Sequence, residues 1–267
     1  ARRHGVEVRP VDVRASDWDC TLEQGADGAA DPALRLGMRL VKGLPVEAAQ
    51  RLVEARGRRH GAAFDSVQQL AEQAQLDRRA LGSLAAAGAL AGLGGHRHRA
   101  AWQVAGLESP LPVLPEVCIA EGIPLLRAPR EGEDIVADYT HVGLTLRRHP
   151  LAVLRGQLAS RGFVDSAKLR ALPDGATVRT AGLVITRQRP GSAEGVTFVT
   201  LEDESGSVNL IVWRDVAERQ RQALIGSRLM GVAGKLQLEG EVMHVIARRL
   251  VDLSHWLGRL RTASRDF

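Results

Sequence analysis

Residues 41–49 read VKGLPVEAA, a lysine and a glycine ahead of a proline and a short amphipathic helix. A glycine at this point lets the chain turn tightly and face its N–H groups outward, and the next helix directs its positive dipole end the same way. Such a turn seats a phosphate, with Gly43 and Leu44 supplying backbone and Lys42 a point charge beside them. Ala49 is small enough for a second helix to pack close. Pro45 reads as a first-turn proline that removes one N–H from the seat, and Gly57 reads as the stop of the helix. The same residues also fit a tight turn between two helices with a solvated basic face.

A second glycine-rich turn, GALAGLGGHRHRAAW, places Gly92, Gly94 and Gly95 before Arg97, His98 and Arg99 at a helix start. Its offset to the small pair Ala100 and Ala101 is imperfect. In tandem the two turns read as helix-hairpin-helix motifs, which grip a nucleic-acid backbone without reading bases. Arg147 and Arg148 open a further basic helix and join the candidate DNA contacts. Toward the C-terminus, Phe198 and Trp213 are the only aromatics between residues 173 and 253. They are candidates for base stacking, with Arg187 and Arg189 along the strand and Arg214 and Lys235 as further groove cations.

Catalytic chemistry is missing from the pattern. There is no Ser/His/Asp grouping, no phosphate loop of the Walker type and no convincing carboxylate pair. LEDESGSVNL resembles a metal loop only superficially and reads as a solvated hairpin. His96 and His98 lack cysteine or carboxylate partners nearby, and the two cysteines, Cys20 and Cys118, have no metal-ligand spacing. No catalytic, metal or cofactor site is expected in this segment. The absence of a long apolar run and of a signal-like start predicts a cytoplasmic protein without membrane contact.

Charge is distributed in blocks. Residues 33–106 net +6, residues 107–140 net −5, residues 141–172 net +5, and residues 173–253 balance, within a chain total of +5. Such alternation points to polyanion contact at two places. The elements behind these blocks follow from periodicity. GVEVRPVDVR is extended, and helical patterns run from Leu34 to Leu107, with Asp65 or Ser66 and Asp77 as caps and Gly88 as a break. Prolines crowd residues 108–135. After Pro173 the period changes to that of strands: three strand patterns, one helix, then two strands joined at Glu239–Gly240. That order is an OB-fold. The expected architecture is therefore α+β and multidomain, a helical tandem helix-hairpin-helix region followed by a five-stranded OB barrel.

RHGVEVRPVDVRASDWDCTLE, LRLGMRLVKGL, LDRRALGSLAAAGAL, EDIVADYTHVGLTLRRHPL, GLVITRQRPGSAEGVTFVTLEDESGSVNLIVW and SRDF together resemble the C-terminal third of bacterial C-family DNA polymerases. The resemblance is to the error-prone, damage-tolerant branch of the replicative alpha-subunit family. It implies the end of the fingers at 1–32, hairpins at 33–106, a connecting segment with a basic helix at 107–172, the OB-fold at 173–253 and a tail at 254–267. It also implies that the palm carboxylates and their Mg2+ lie in another part of the parent, so that this piece alone is inactive. An abrupt opening in a strand-like piece agrees with a fragment of something larger.

Replicative relatives carry a clamp peptide after the hairpins, a glutamine followed by apolar and aromatic residues. WQVAGLESPLPVL offers Gln103 but no aromatic afterwards, so direct sliding-clamp binding is not expected. The resemblance implies recruitment by accessory mutagenesis proteins, an inert Y-family-like polymerase and a RecA-like protein. Their expected docking surface is the OB domain with the tail Trp256–Phe267. The expected role is DNA gripping and partner docking in translesion synthesis and damage-induced mutagenesis. The alternative is a stand-alone helix-hairpin-helix/OB protein that binds DNA as a repair accessory.

Overall fold

The computed structural model describes residues 4–25, 31–59, 64–107, 125–192, 195–240, 242–258 and 265–266. Cys118, the prolines at 110–124, the end of the WQVAGLESPLPVL stretch and Phe267 lie outside them. The chain forms two compact units, residues 1–146 and 147–267.

The first unit opens on a small three-stranded sheet, β1 (Val8–Arg9), β2 (Thr21–Glu23) and β3 (Ala33–Arg35), with β3 between the other two. The alternation of GVEVRPVDVR foretold the first of these strands. The other two are short pieces that only pairing defines. Glu23 locks the sheet by accepting from Arg35 at 2.8 and 2.9 Å and from Arg9 at 2.8 Å.

Five helices follow, α1 (Val46–Arg58), α2 (Val67–Gln73), α3 (Arg78–Ala87), α4 (Ala91–Gly94) and α5 (Arg97–Ala105). Their caps are written in the sequence. Ser66 accepts from the Gln69 N–H and Asp77 from the Ala80 N–H, each satisfying a first-turn donor. Gly88 ends α3 at φ 77°, a left-handed conformation that costs other residues a Cβ clash. Gly57 does not stop α1, which runs one residue further; a glycine inside a helix weakens it without breaking it. A sixth helix, α6 (Glu131–His141), completes the unit, with Ile135 buried. The core runs from Val11 and Val13 through Leu52, Leu70, Leu81, Leu84 and Leu90 to Val104.

The second unit begins with α7 (Pro150–Ser160) and α8 (Ser166–Arg170), so the stretch 107–172 is divided between the two units. Leu151 and Leu158 of α7 are fully buried. The barrel comprises β4 (Thr177–Gln188), β5 (Thr197–Asp203), β6 (Gly206–Val212), β7 (Leu229–Glu239) and β8 (Val242–Asp252). Strands run β5-β6-β8-β7-β4, and pairing of β4 with β5 closes the ring. The β6–β8 pair is parallel; two short helices, α9 (Arg214–Arg219) and α10 (Arg221–Gly226), lead from β6 to β7, and β8 returns antiparallel to β7. Inward residues such as Val199, Leu210, Val232 and Val245 alternate with outward ones and fill the barrel.

The hairpin between β5 and β6 departs from a solvated turn. Asp203 is 4% exposed and accepts from the Ser166 N–H at 2.6 Å and hydroxyl at 2.8 Å, and from the Ser205 and Gly206 N–H groups at 2.7 and 3.0 Å. It fixes α8 to the barrel. Arg155 of α7 adds a paired contact to Glu204 at 2.5 and 2.8 Å. Burial pushes the Glu204 carboxyl up, but the guanidinium outweighs it and holds the group below the usual carboxylate range.

Candidate nucleic-acid interface

At the first turn Gly43 adopts φ 82°, a conformation that favours glycine, and buried Leu44 anchors the turn beneath it. Pro45 is the N-cap of α1, one position earlier than a first-turn proline, and no side chain caps this helix. The N–H groups of Val46 and Glu47 open the helix beyond it, although Glu47 brings a carboxylate to the same turn. Ala48 and Ala49 are buried, as close helix packing requires. Lys42 is exposed but tethered. Its Nζ donates to the Tyr139 carbonyl at 3.0 Å and its backbone N–H to the His141 carbonyl at 2.8 Å. It thus sits on the negative end of α6, with donors of its ammonium still open to an anion. Burial lowers the His141 pKa from its ordinary value, and the positive charges of Arg97 and Lys42 add to that.

The second turn sorts its three basic residues differently from one another. Gly95 takes φ 75°, and His96 caps α5 by accepting from the Arg99 N–H at 3.3 Å. A Cβ on Gly94 would lie 3.1 Å from Ala100, so these two small residues are what let the turn pack against α5. Arg97 points inward. Its Nε donates to the Ala86 carbonyl at 2.9 Å, and its terminal nitrogens donate to the carbonyls of Ala87 and Asp134 at 3.3 Å each. The same nitrogens make short contacts to the carboxylates of Asp134 and Asp138. These contacts occupy the guanidinium's five N–H positions. Arg97 is therefore a clamp within the unit, which corrects its reading as a phosphate ligand. His98 is exposed, with Nδ1 2.8 Å from the Arg127 carbonyl. Arg99 is exposed, and its guanidinium has no partner among the described residues.

In the second unit Arg147 and Arg148 are exposed just ahead of His149, which caps α7 by accepting from the Leu151 N–H at 3.2 Å. Arg187 is 5% exposed; it donates through Nε to the Leu224 carbonyl at 2.6 Å and through a terminal nitrogen to the Ser227 carbonyl. It satisfies carbonyls at the end of α10, which corrects its placement in a groove. The other groove candidates come together. Phe198 is 37% exposed and Trp213 51% exposed. Phe198 pairs across the sheet with Gln188 and with Ile211, two residues before Trp213. Arg189 follows Gln188, and a Cβ added at Gly195 would lie 3.4 Å from Arg189 and 3.1 Å from Arg214. Arg214 also bonds Glu218 at 2.8 Å, an exposed pair one helical turn apart. Two rings and two guanidiniums thus share one end of the β4–β5–β6 surface. Lys235 is exposed elsewhere, on β7.

The acids that hold Arg97 escaped the sequence reading. Asp134 and Asp138 are four apart in EGEDIVADYTH, a spacing that puts both on one helix face, and that was the available signal.

Comparison with known proteins follows the same division. Residues 5–100 match the family described as helix-hairpin-helix motif, and residues 178–253 match the OB-fold nucleic acid binding domain. The error-prone DNA polymerase of Alkalilimnicola ehrlichii is 58% identical across all of this chain, which covers 26% of that protein. Over its whole length the chain matches the C-terminal part of the error-prone DNA polymerases. The enzyme of the same name from Methylococcus capsulatus is 52% identical, again over the entire chain and 27% of its own length. The chain thus spans about a quarter of the error-prone polymerases it matches. Among solved structures, asparaginyl-tRNA synthetase of Pyrococcus horikoshii with asparaginyl-adenylate aligns at TM-score 0.30 and 24% identity, over 34% of this chain and 22% of that one.

Proposed function

We propose that this chain is the DNA-gripping and partner-docking part of an error-prone DNA polymerase that acts in translesion synthesis and damage-induced mutagenesis. The observation that carries the reading is whole-chain identity above 50% to error-prone polymerases, on a fold whose two units both match nucleic-acid-related families. The hairpins hold duplex backbone through Lys42, Gly43 and Leu44 at the first turn and Arg99 and His98 at the second. The barrel stacks a single strand on Phe198 and Trp213, with Arg189 and Arg214 on its phosphates. The polymerase carboxylates and their Mg2+ belong to another part of the parent, which works in the cytoplasm. No helix among the described residues is long and apolar enough to cross a membrane.

Recruitment runs through accessory proteins, an inert Y-family-like polymerase and a RecA-like protein, and not through the clamp. In support, the Gln103 side-chain oxygen is buried without a hydrogen-bond partner, and a Cβ on Gly94 would lie 2.6 Å from it. A glutamine packed into its own unit is not offered to a clamp pocket.

Titration of the chain with duplex oligonucleotides across a salt series tests the reading. Lys42→Glu is expected to weaken all sequences alike and to flatten the dependence of log K on log salt by about one to two. Unchanged duplex affinity would leave the first turn a structural feature only. Capture assays with the clamp alone and with the accessory proteins alone test recruitment, and robust clamp binding would overturn that half.

A further inference from the structure

Consecutive arginines in a β-strand present a problem. Side chains alternate between the two faces, so one of Arg248 and Arg249 would normally point into the barrel. Neither does. The β7–β8 register slips between Ala233 and Gly234, and Arg248 is the extra residue of a bulge. Both arginines are exposed, while Ala247 and Leu250 on either side stay buried. The bulge is held by a side chain. Gln220, between α9 and α10, donates to the Arg248 carbonyl at 3.1 Å and accepts from the Leu250 N–H at 2.8 Å. Gly234 is required opposite, since a Cβ there would sit 2.1 Å from the Ile246 carbonyl oxygen.

The cations continue across the sheet. Arg249 pairs with Ala233, which pairs with Arg179 on β4, so all three lie on one row of the same outward face. Strand spacing puts the Arg179 and Arg249 Cα atoms about 10 Å apart. Lys235 stands two residues along β7 on that face, with its stem against Gly175. Arg179 lies over the Phe163 ring at 4.8 Å, and Arg161, adjacent through Gly162, lies over the Trp256 ring at 4.5 Å. Stacking fixes a guanidinium while leaving its N–H edge free.

None of these five cations pairs with an acid among the described residues. Among the described acids of the barrel, Glu204 pairs with Arg155, Asp215 with Arg219 and Glu218 with Arg214. Asp252 accepts from Ser254 and Asp174 from the Leu238 N–H, and Glu239, at the far end of β7, accepts from Gln237. A domain with no net charge thus gathers four of its cations on one outward face, with no ion pair to an acid among the described residues.

We infer that the outward face of β4, β7 and β8, carrying Arg179, Lys235, Arg248 and Arg249 with Arg161 beside it, is a second binding surface of the barrel for a nucleic-acid phosphate backbone. It is distinct from the Phe198–Trp213 end, where bases stack. The inference rests on the reading of this chain as a DNA-holding segment, and it adds that the barrel engages phosphate on two surfaces.

The experiment is a salt series on the intact chain with single-stranded and duplex oligonucleotides in separate arms. It compares wild type, Arg179→Gln/Arg248→Gln/Arg249→Gln, and Phe198→Ala/Trp213→Ala. The triple variant is expected to lower the slope of log K against log salt by about 2 for a single strand, at roughly 0.7 per lost phosphate contact, or by nearer 3 for duplex at roughly 0.9. The arm that changes more identifies which form of DNA the face holds. The aromatic variant is expected to weaken single-strand binding with little change of slope. The three arginines are exposed, and circular dichroism checks that the variant is folded. An unchanged slope in both arms overturns the second surface while leaving the wider reading standing, and loss of accessory-protein capture at unchanged slope assigns the face to an acidic protein instead. A wild-type chain that binds no DNA overturns both.

Discussion

In the helical unit the arginine at the head of α5 folds inward onto Asp134 and Asp138, whereas in the barrel unit the consecutive arginines of β8 both turn outward. Residue type does not separate the two cases, since each is an arginine next to another basic residue. The difference lies in what the surrounding backbone supplies. Arg97 lies against α6, which brings two carboxylates, and against carbonyls at the end of α3. Arg248 and Arg249 lie at a bulge in β8 and make no ion pair with an acid among the described residues. A cation's role is therefore set by its neighbours' unsatisfied groups before it is set by its own charge.

The largest effect that would break this comparison is removal of the inward clamp. Arg97→Ala takes the guanidinium away from two buried carboxylates, and losing one side of such a cluster costs about 3–5 kcal/mol. Denaturant unfolding should show the helical unit melting early while the barrel's transition is unmoved. A loss of DNA affinity without any loss of stability would restore Arg97 as a phosphate ligand.

Next in size is the outward case. Gly234→Ala forces a Cβ against the Ile246 carbonyl, and an overpacked site of this kind costs about 1–3 kcal/mol or more. The barrel should lose stability and, with its bulge disturbed, the salt-sensitive part of its DNA binding. Full stability would mean that the bulge is not needed to place the two arginines.

Stacking sharpens the contrast within the barrel. Phe198→Ala and Trp213→Ala should each weaken a single strand by about 1–3 kcal/mol, measured by fluorescence anisotropy, because one base loses its platform. Duplex affinity should hardly change.

The smallest expected effect is on pH dependence. Burial, helped by Arg155, lowers the His149 pKa below its ordinary value against the opposing pull of Glu202, Glu204 and Asp203. The folded state then binds fewer protons than the unfolded one, so the barrel unit loses stability as pH falls below about 6.5 toward the lowered value. A protonated imidazole also cannot accept from the Leu151 N–H. His149→Asn keeps a cap acceptor and should flatten the stability curve between about pH 5 and 7. An unchanged curve would place the titrating group elsewhere.

Much of the molecule was determined by sequence alone, because the relevant physics is local. The caps at Ser66 and Asp77, the left-handed Gly88 and the change to strand periodicity after Pro173 each depend on a few neighbouring residues. The OB strand order followed from turn residues and alternation, and Phe198 and Trp213 stood out as the barrel's only aromatics. Which cations face solvent was decided by tertiary structure. Arg97 and Arg187 are matched by groups at least ten residues away, the Lys42 ammonium is tied to a carbonyl 97 residues along the chain, and Asp203 accepts from Ser166. Arg248 and Arg249 face outward because a register slip with Gly234 and a glutamine from another element hold them there. A charged side chain reads the same in sequence whether it ends in water or on a buried partner, and only the fold brings that partner within hydrogen-bonding distance.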